Sequence, residues 1–103
     1  MGKPDYPVRL SFQTLKVLEA FLDDPAAELA GTDVQKRGHL SSGTLYPILL
    51  RLESVGWLTS RWERVDPSAV GRPRRRLYRI TPTGLRAANE VFARFSNNRG
   101  VFA

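Results

Sequence analysis

The 103-residue sequence predicts a mainly α-helical domain with a small β-hairpin, running helix, helix, helix, strand, strand, helix. Three observations carry that expectation. Leu45, Ile48, Leu49, Leu52 and Val55 recur at helical period, and only "GHLS" separates this stretch from a shorter helical one before it. From Trp57 to Ile80 the pattern changes to partial alternation of aromatic and β-favouring residues around a turn rich in Pro and Gly. Arginine is concentrated in the second half of the chain.

Residues 1–10 contain Pro4 and Pro7 and are expected to be a flexible lead-in. The domain proper is predicted over 11–95. In "SFQTLKVLEAFLDD" Ser11 is an N-cap, and Phe12, Leu15, Val17, Leu18, Phe21 and Leu22 form a broad apolar stripe. Asp23, Asp24 and Pro25 end this helix. "AAELA" places Leu29 in a brief strand or an extended link. "GTDVQKRG" predicts a short second helix with Thr32 as N-cap and Gly38 as stop.

The third helix begins at Ser41 or Ser42, either of which offers a capping hydroxyl, and closes at Gly56. Pro47 stands inside it. An interior proline removes one backbone hydrogen bond and crowds the preceding turn, at a cost of roughly 3 kcal/mol. With Ser42 as cap, the missing bond falls on the Gly43 carbonyl, near the helix start, where water can reach it.

"WLTSRWERV" (57–65) predicts one strand and "RRRLYRI" (74–80) another, with Leu77, Tyr78 and Ile80 as packing residues. "DPSAVGRP" (66–73) between them predicts a turn. Trp57 and Trp62 could line a ligand pocket, but tryptophans in a hairpin are expected to pack on the core. In "TPTGLRAANEVFARF" Thr81 is the N-cap and Pro82 takes the first helical position, where its missing N–H costs nothing. Gly84 weakens the early turns of this helix. Residues 96–103 are expected to fray. A short-turn helix pair followed directly by a hairpin is the arrangement of a winged helix-turn-helix.

Composition narrows the function. The apolar fraction of 42% and charged fraction of 25% fit one small folded domain, and no apolar run is long enough for a membrane span. Without cysteine, disulfides and thiolate chemistry are excluded, which suits a cytoplasmic protein. His39 is the only histidine, too little for a metal site, and no nucleophile–base pair or glycine-rich phosphate loop is evident. The sequence therefore points away from an enzyme and implies no cofactor. Net charge is +6 and unevenly spread. Residues 1–36 hold four basic and six acidic side chains, whereas 37–103 hold twelve arginines against Glu53, Glu63, Asp66 and Glu90. A basic half beside a mildly acidic one suits a polyanionic partner.

Two groups of residues fit that partner. Subtracting the apolar stripe of the third helix leaves Ser41, Ser42, Gly43, Thr44, Tyr46, Pro47 and Arg51 outside, mostly in its N-terminal half, which helix-turn-helix proteins present to the major groove. Hydroxyls there can meet base edges or phosphates, Arg51 can meet phosphate or guanine, and Pro47 offers a rigid apolar surface to a thymine methyl or sugar. "GRPRRRLYR" places Arg72, Arg74, Arg75 and Arg76 at the hairpin tip, able to fork onto phosphate or enter a narrow minor groove. Strand alternation sends only some of them to one face, so at least one is expected to pair with a carboxylate such as Glu63. Lys36, Arg37 and His39 are further candidates for phosphate.

"LSSGTLYPILLRLESVGWLTSRWE" and "GRPRRRLYRITPTG" together resemble the PadR family of bacterial winged-helix transcription regulators over about residues 11–95. The resemblance implies a homodimeric, usually repressing, DNA-binding protein, with DNA contact through the third helix and the wing arginines. Many members have proline before the "GTLYP" glycine, where this chain has Ser42 and keeps a hydroxyl. The tail after the last helix is short, so dimerisation is expected to rest on the first and last helices, through Phe12, Phe21, Leu85, Val91, Phe92 and Phe95. Those side chains could instead close the monomer core. The resulting expectation is a sequence-specific regulator of double-stranded DNA, a repressor on a pseudo-palindromic operator, with no small-molecule effector named. The alternatives are a winged helix that binds an acidic protein, or one that binds DNA without sequence preference.

Overall fold

The computed structural model describes residues 6–102, with side chains over 6–96. Helix α1 spans Phe12–Leu22, and the Ser11 hydroxyl accepts from the Thr14 N–H at its start. Its buried face is Thr14, Val17, Leu18, Ala20 and Phe21. Strand β1 is only Leu29–Ala30 and leads straight into α2, Gly31–Gly38. This connection moves the cap. Thr32 is already inside the helix, Ala30 is the N-cap, and Asp33 reaches back to accept from the Ala30 N–H at 2.9 Å. The stop moves as well. His39, not Gly38, takes the left-handed conformation at φ 52°. At Gly38 a Cβ would lie 3.2 Å from Leu40 side-chain carbons, a tight contact.

Helix α3 spans Ser42–Ser54 with Ser41, not Ser42, as N-cap, which makes Pro47 the sixth helical residue and leaves its missing bond on the Gly43 carbonyl. Leu45, Ile48, Leu49 and Leu52 are buried and Val55 is half-buried, as the periodicity predicts. At its end the Gly56 N–H donates to Glu53 O and the Trp57 N–H to Leu52 O, with Gly56 at φ 80°. That pair of bonds is a Schellman motif, and it turns the chain sharply into β2, Leu58–Trp62.

Strand β3, Arg76–Ile80, pairs antiparallel with β2 on one side and with β1 on the other, in the order β1-β3-β2. The predicted hairpin is thus part of a three-stranded sheet. Register places Leu58 opposite Ile80, Ser60 opposite Tyr78, and Trp62 opposite Arg76. Both strands are shorter than predicted, and the segment between them is more ordered. Within it α4 spans Pro67–Val70, started by the Asp66 carboxylate accepting from the Ser68 N–H at 3.0 Å and ended by Gly71 at φ 71°. A single helical turn uses the same Asp, Pro and Gly that mark a turn in sequence.

Helix α5 spans Pro82–Phe102. The Thr81 hydroxyl accepts from the Gly84 N–H at 2.9 Å and donates to Gly56 O at 2.6 Å. Gly84, read from sequence as a weak point, is required here. A Cβ would sit 2.2 Å from the Trp57 carbonyl oxygen, so the helix seats directly on that backbone.

The lead-in also departs from expectation. Val8 is buried, and the Tyr6 ring meets the Trp57 ring edge-on at 6.1 Å while its hydroxyl donates to Glu90 at 2.9 Å. Residues 6–10 therefore fold onto the core, while 1–5 lie outside the described residues. Of the six side chains assigned to a dimer interface, Phe21 and Val91 are buried in the monomer. Leu85 and Phe92 are half-buried against its core, and only Phe12 and Phe95 are exposed, at 70% and 43%.

Candidate nucleic-acid interface

Burial of the Leu45–Ile48–Leu49–Leu52 stripe dictates what α3 shows to solvent. Ser41, Ser42, Gly43, Thr44, Tyr46, Pro47 and Arg51 are all exposed, as their spacing predicts. Leu50, absent from that set, is exposed at 68%. It lies four residues after Tyr46 and three after Pro47, so the three form one apolar ridge along the outer helix face. The spacing alone marks Leu50, since it falls off the buried stripe.

The start of α3 is fastened. Ser41 Oγ accepts from the Thr44 N–H at 3.3 Å and donates to Thr44 Oγ1 at 3.1 Å. Tyr46 is positioned from α2: a Cβ on Gly31 would lie 2.5 Å from the Tyr46 hydroxyl and 2.9 Å from its ring. Glycine at 31 therefore lets the phenol ring rest on the first turn of α2. Arg51 makes no ion pair among the described residues.

The wing arginines differ from one another. Glu63, with a side chain 9% exposed, accepts from Arg72 Nη1 at 2.6 Å and Nη2 at 3.1 Å, and from the Arg75 backbone N–H at 2.9 Å and Nη2 at 3.1 Å. The Arg72 guanidinium, then that of Arg75, holds the Glu63 carboxyl well below the usual carboxylate range. Arg76 donates to Ser60 Oγ at 2.9 Å, lies 3.8 Å from the Glu53 carboxylate of α3, and stacks over the Trp62 ring at 5.1 Å. Among the described residues Arg74 donates only to the Val65 carbonyl, at 2.9 Å. The expected pairing with Glu63 is thus present twice over. Arg72 and Arg76 are each tied to a carboxylate yet remain partly exposed.

Elsewhere, Lys36 and His39 line one shallow hollow on α2 with Thr32, Gln35 and Leu40. Arg37 turns away from them, donating to Ala20 O at 3.2 Å and facing Asp23 at 3.6 Å, which ties α2 to α1. On the other sheet face Arg61 forks onto Glu28 with both bonds at 2.7 Å. That hydrogen bonding holds the Glu28 carboxyl below its ordinary range. Trp57 is buried as expected, but Trp62 is 58% exposed. It follows the core-facing alternation of Leu58 and Ser60 yet stands beyond the end of the core.

The α3 surface and the wing converge on one cleft, lined by Tyr46 from α3, Trp62, Arg74, Arg75 and Arg76 from the wing, and the first turn of α2. An open helix beside a basic hairpin on this frame defines a class, the winged-helix transcriptional regulators. Comparison with known proteins goes further. The Transcriptional regulator PadR-like family matches residues 31–90, more than half the chain, and the chain belongs to that family. Transcriptional regulator Rv3488 of Mycobacterium tuberculosis is 44% identical over 59 residues, covering 56% of this chain and 50% of that protein. The chain thus spans about half the length of this curated relative. Among solved structures, a PadR family transcriptional regulator from Eggerthella lenta superposes with a TM-score of 0.65 at 33% identity, over 85% of this chain and 78% of that one. PcaV of Streptomyces coelicolor, solved in complex with its natural ligand, gives a TM-score of 0.74 at 26% identity, over 90% and 60%. Among the described residues no helix is long and apolar enough to cross a membrane.

Proposed function

We propose that this chain is a sequence-specific repressor that binds double-stranded DNA in the bacterial cytoplasm as a homodimer. The observation that carries the reading is the outer face of α3, where Thr44, Tyr46, Pro47, Leu50 and Arg51 stand exposed with the basic wing alongside. In this reading Ser42, Gly43 and Thr44 approach base edges and phosphates at the helix start. The Tyr46–Pro47–Leu50 ridge meets thymine methyls and sugars. Arg74, with Lys36 and His39 on α2, meets phosphates, while Ser41, Arg72 and Arg76 hold the geometry. The exposed Phe12 and Phe95, with the half-buried Leu85 and Phe92, supply the dimer contact. Two reading helices about 34 Å apart then face half-sites one turn apart on a pseudo-palindrome.

The test is a footprint on the DNA upstream of the chain's own gene, joined to sedimentation of the free protein. Two protected half-sites and a dimeric species are expected. Equal protection of random and upstream fragments would rule out sequence specificity, and a monomer at working concentration would rule out the palindrome.

A further inference from the structure

We propose that the cleft between α3 and the wing seats one sugar–phosphate unit of the DNA backbone, with Trp62 as its aromatic wall; this rests on the DNA-binding reading above. The cleft has a volume of about 310 Å³, at the small end of ligand-binding cavities. Among the described residues its walls carry three guanidiniums, two aromatic rings and no carboxylate. Glu63 and Glu53, the acids that organise these arginines, stand outside the lining. Such a site takes an anion joined to a compact, partly apolar body, which describes a deoxyribose with its phosphate.

Trp62 is the informative residue. An indole contributes to folding by burying its large surface, yet this residue is 58% exposed. It nonetheless has neighbours. Arg76 stacks on one face, Ser60 fixes Arg76, and Ser60 in turn donates to Glu53 of α3. A polar chain thus runs from α3 to the cation that stacks on the wing tryptophan. Tyr46, opposite, rests on Gly31. Each ring thus packs against a protein neighbour before a ligand enters. Arg75, tethered to Glu63, and Arg74, tethered to a carbonyl, stand at the same cleft. A backbone seat contributes affinity and register, and it reads no sequence.

The native chain contains its own probe. It has two tryptophans; Trp57 is 3% exposed, so a neutral collisional quencher such as acrylamide reports on Trp62. Fluorescence quenching is measured with and without a mixed-sequence 30-base-pair duplex at low salt, while anisotropy of the labelled duplex reports binding. Trp62→Phe confirms the assignment. The expected result is at least about a threefold fall in the quenching constant at duplex saturation, with none at an equal nucleotide concentration of free thymidine monophosphate. Trp62→Ala should then weaken binding about tenfold for every duplex while leaving the melting temperature nearly unchanged. Saturated binding with Trp62 still fully accessible overturns the seat and leaves the DNA reading intact. Protection by the free nucleotide alone makes the cleft a small-anion site and overturns it too. No duplex binding at all overturns both.

Discussion

On the outer face of α3, side chains reach into solvent with few partners, whereas most of the wing's arginines already have theirs. Tyr46, Pro47 and Leu50 offer apolar surface, and Arg51 makes no ion pair among the described residues. Arg72 and Arg75 share Glu63, and Arg76 is divided between Ser60, Glu53 and the Trp62 ring. The difference separates two duties within one basic surface. On the reading proposed above, the α3 face stays open because its hydrogen bonds and contacts are left for DNA. A loop that carries like charges at close spacing must first be held together, and here an acid among the arginines does so. Counting arginines therefore overstates the contacts available to a ligand.

The largest expected effect comes from the junction that carries the wing. Gly84→Ala drives a Cβ into the Trp57 carbonyl, a backbone atom that cannot swing aside. A loss of about 3 kcal/mol is expected, near the upper end of overpacking costs, or more than about 10 °C in melting temperature. An unchanged melting curve would mean that α5 is not seated on Trp57.

Pro47→Ala acts in the opposite direction on α3. It restores a donor for the Gly43 carbonyl and should stabilise the fold by roughly 1–3 kcal/mol in denaturant titration. Operator discrimination should fall with the loss of the rigid ring. Greater stability with discrimination intact would return Pro47 to a merely tolerated residue.

Glu63→Gln tests the clasp. Freed arginines should bind random DNA more tightly and steepen the salt dependence by up to about two in log–log slope, while the operator advantage shrinks. The same substitution has a pH signature. Glu63 titrates lower in the folded chain than in the unfolded one, so its contribution is complete above the unfolded value near 4.5. It is lost as pH falls from there towards the folded value. The melting difference between native chain and variant should be flat from neutrality to about pH 5 and close below it. Leu50→Ser gives the smallest effect on stability, within about 0.5 kcal/mol, because the side chain is already in water. Its operator affinity should still drop.

Much of this frame is legible in the residues. Period 3.6 marks α1, α3 and α5 because each buries one face, and Ser11, Ser41, Thr81 and Gly56 mark ends because caps are local chemistry. What is not legible depends on distance. Nothing local says that Trp62 lies beyond the core, that Gly84 faces a carbonyl, or that β1 joins β3 across nearly 50 residues. Phe21 and Val91 look available for a partner only until the monomer's own packing is known. The site divides the same way. The helix residues follow from periodicity, whereas the division of labour among the arginines depends on which carboxylate each can reach.

The most direct test of that division is operator and random-duplex affinity measured across salt for Thr44→Ala, Tyr46→Ala and Arg74→Ala. The helix variants should lose the operator-to-random ratio and keep the salt slope. Arg74→Ala should lose about one unit of slope and keep the ratio. If Arg74→Ala abolishes the ratio, or if the helix variants change only the slope, the separation between a reading helix and a backbone-holding wing is wrong.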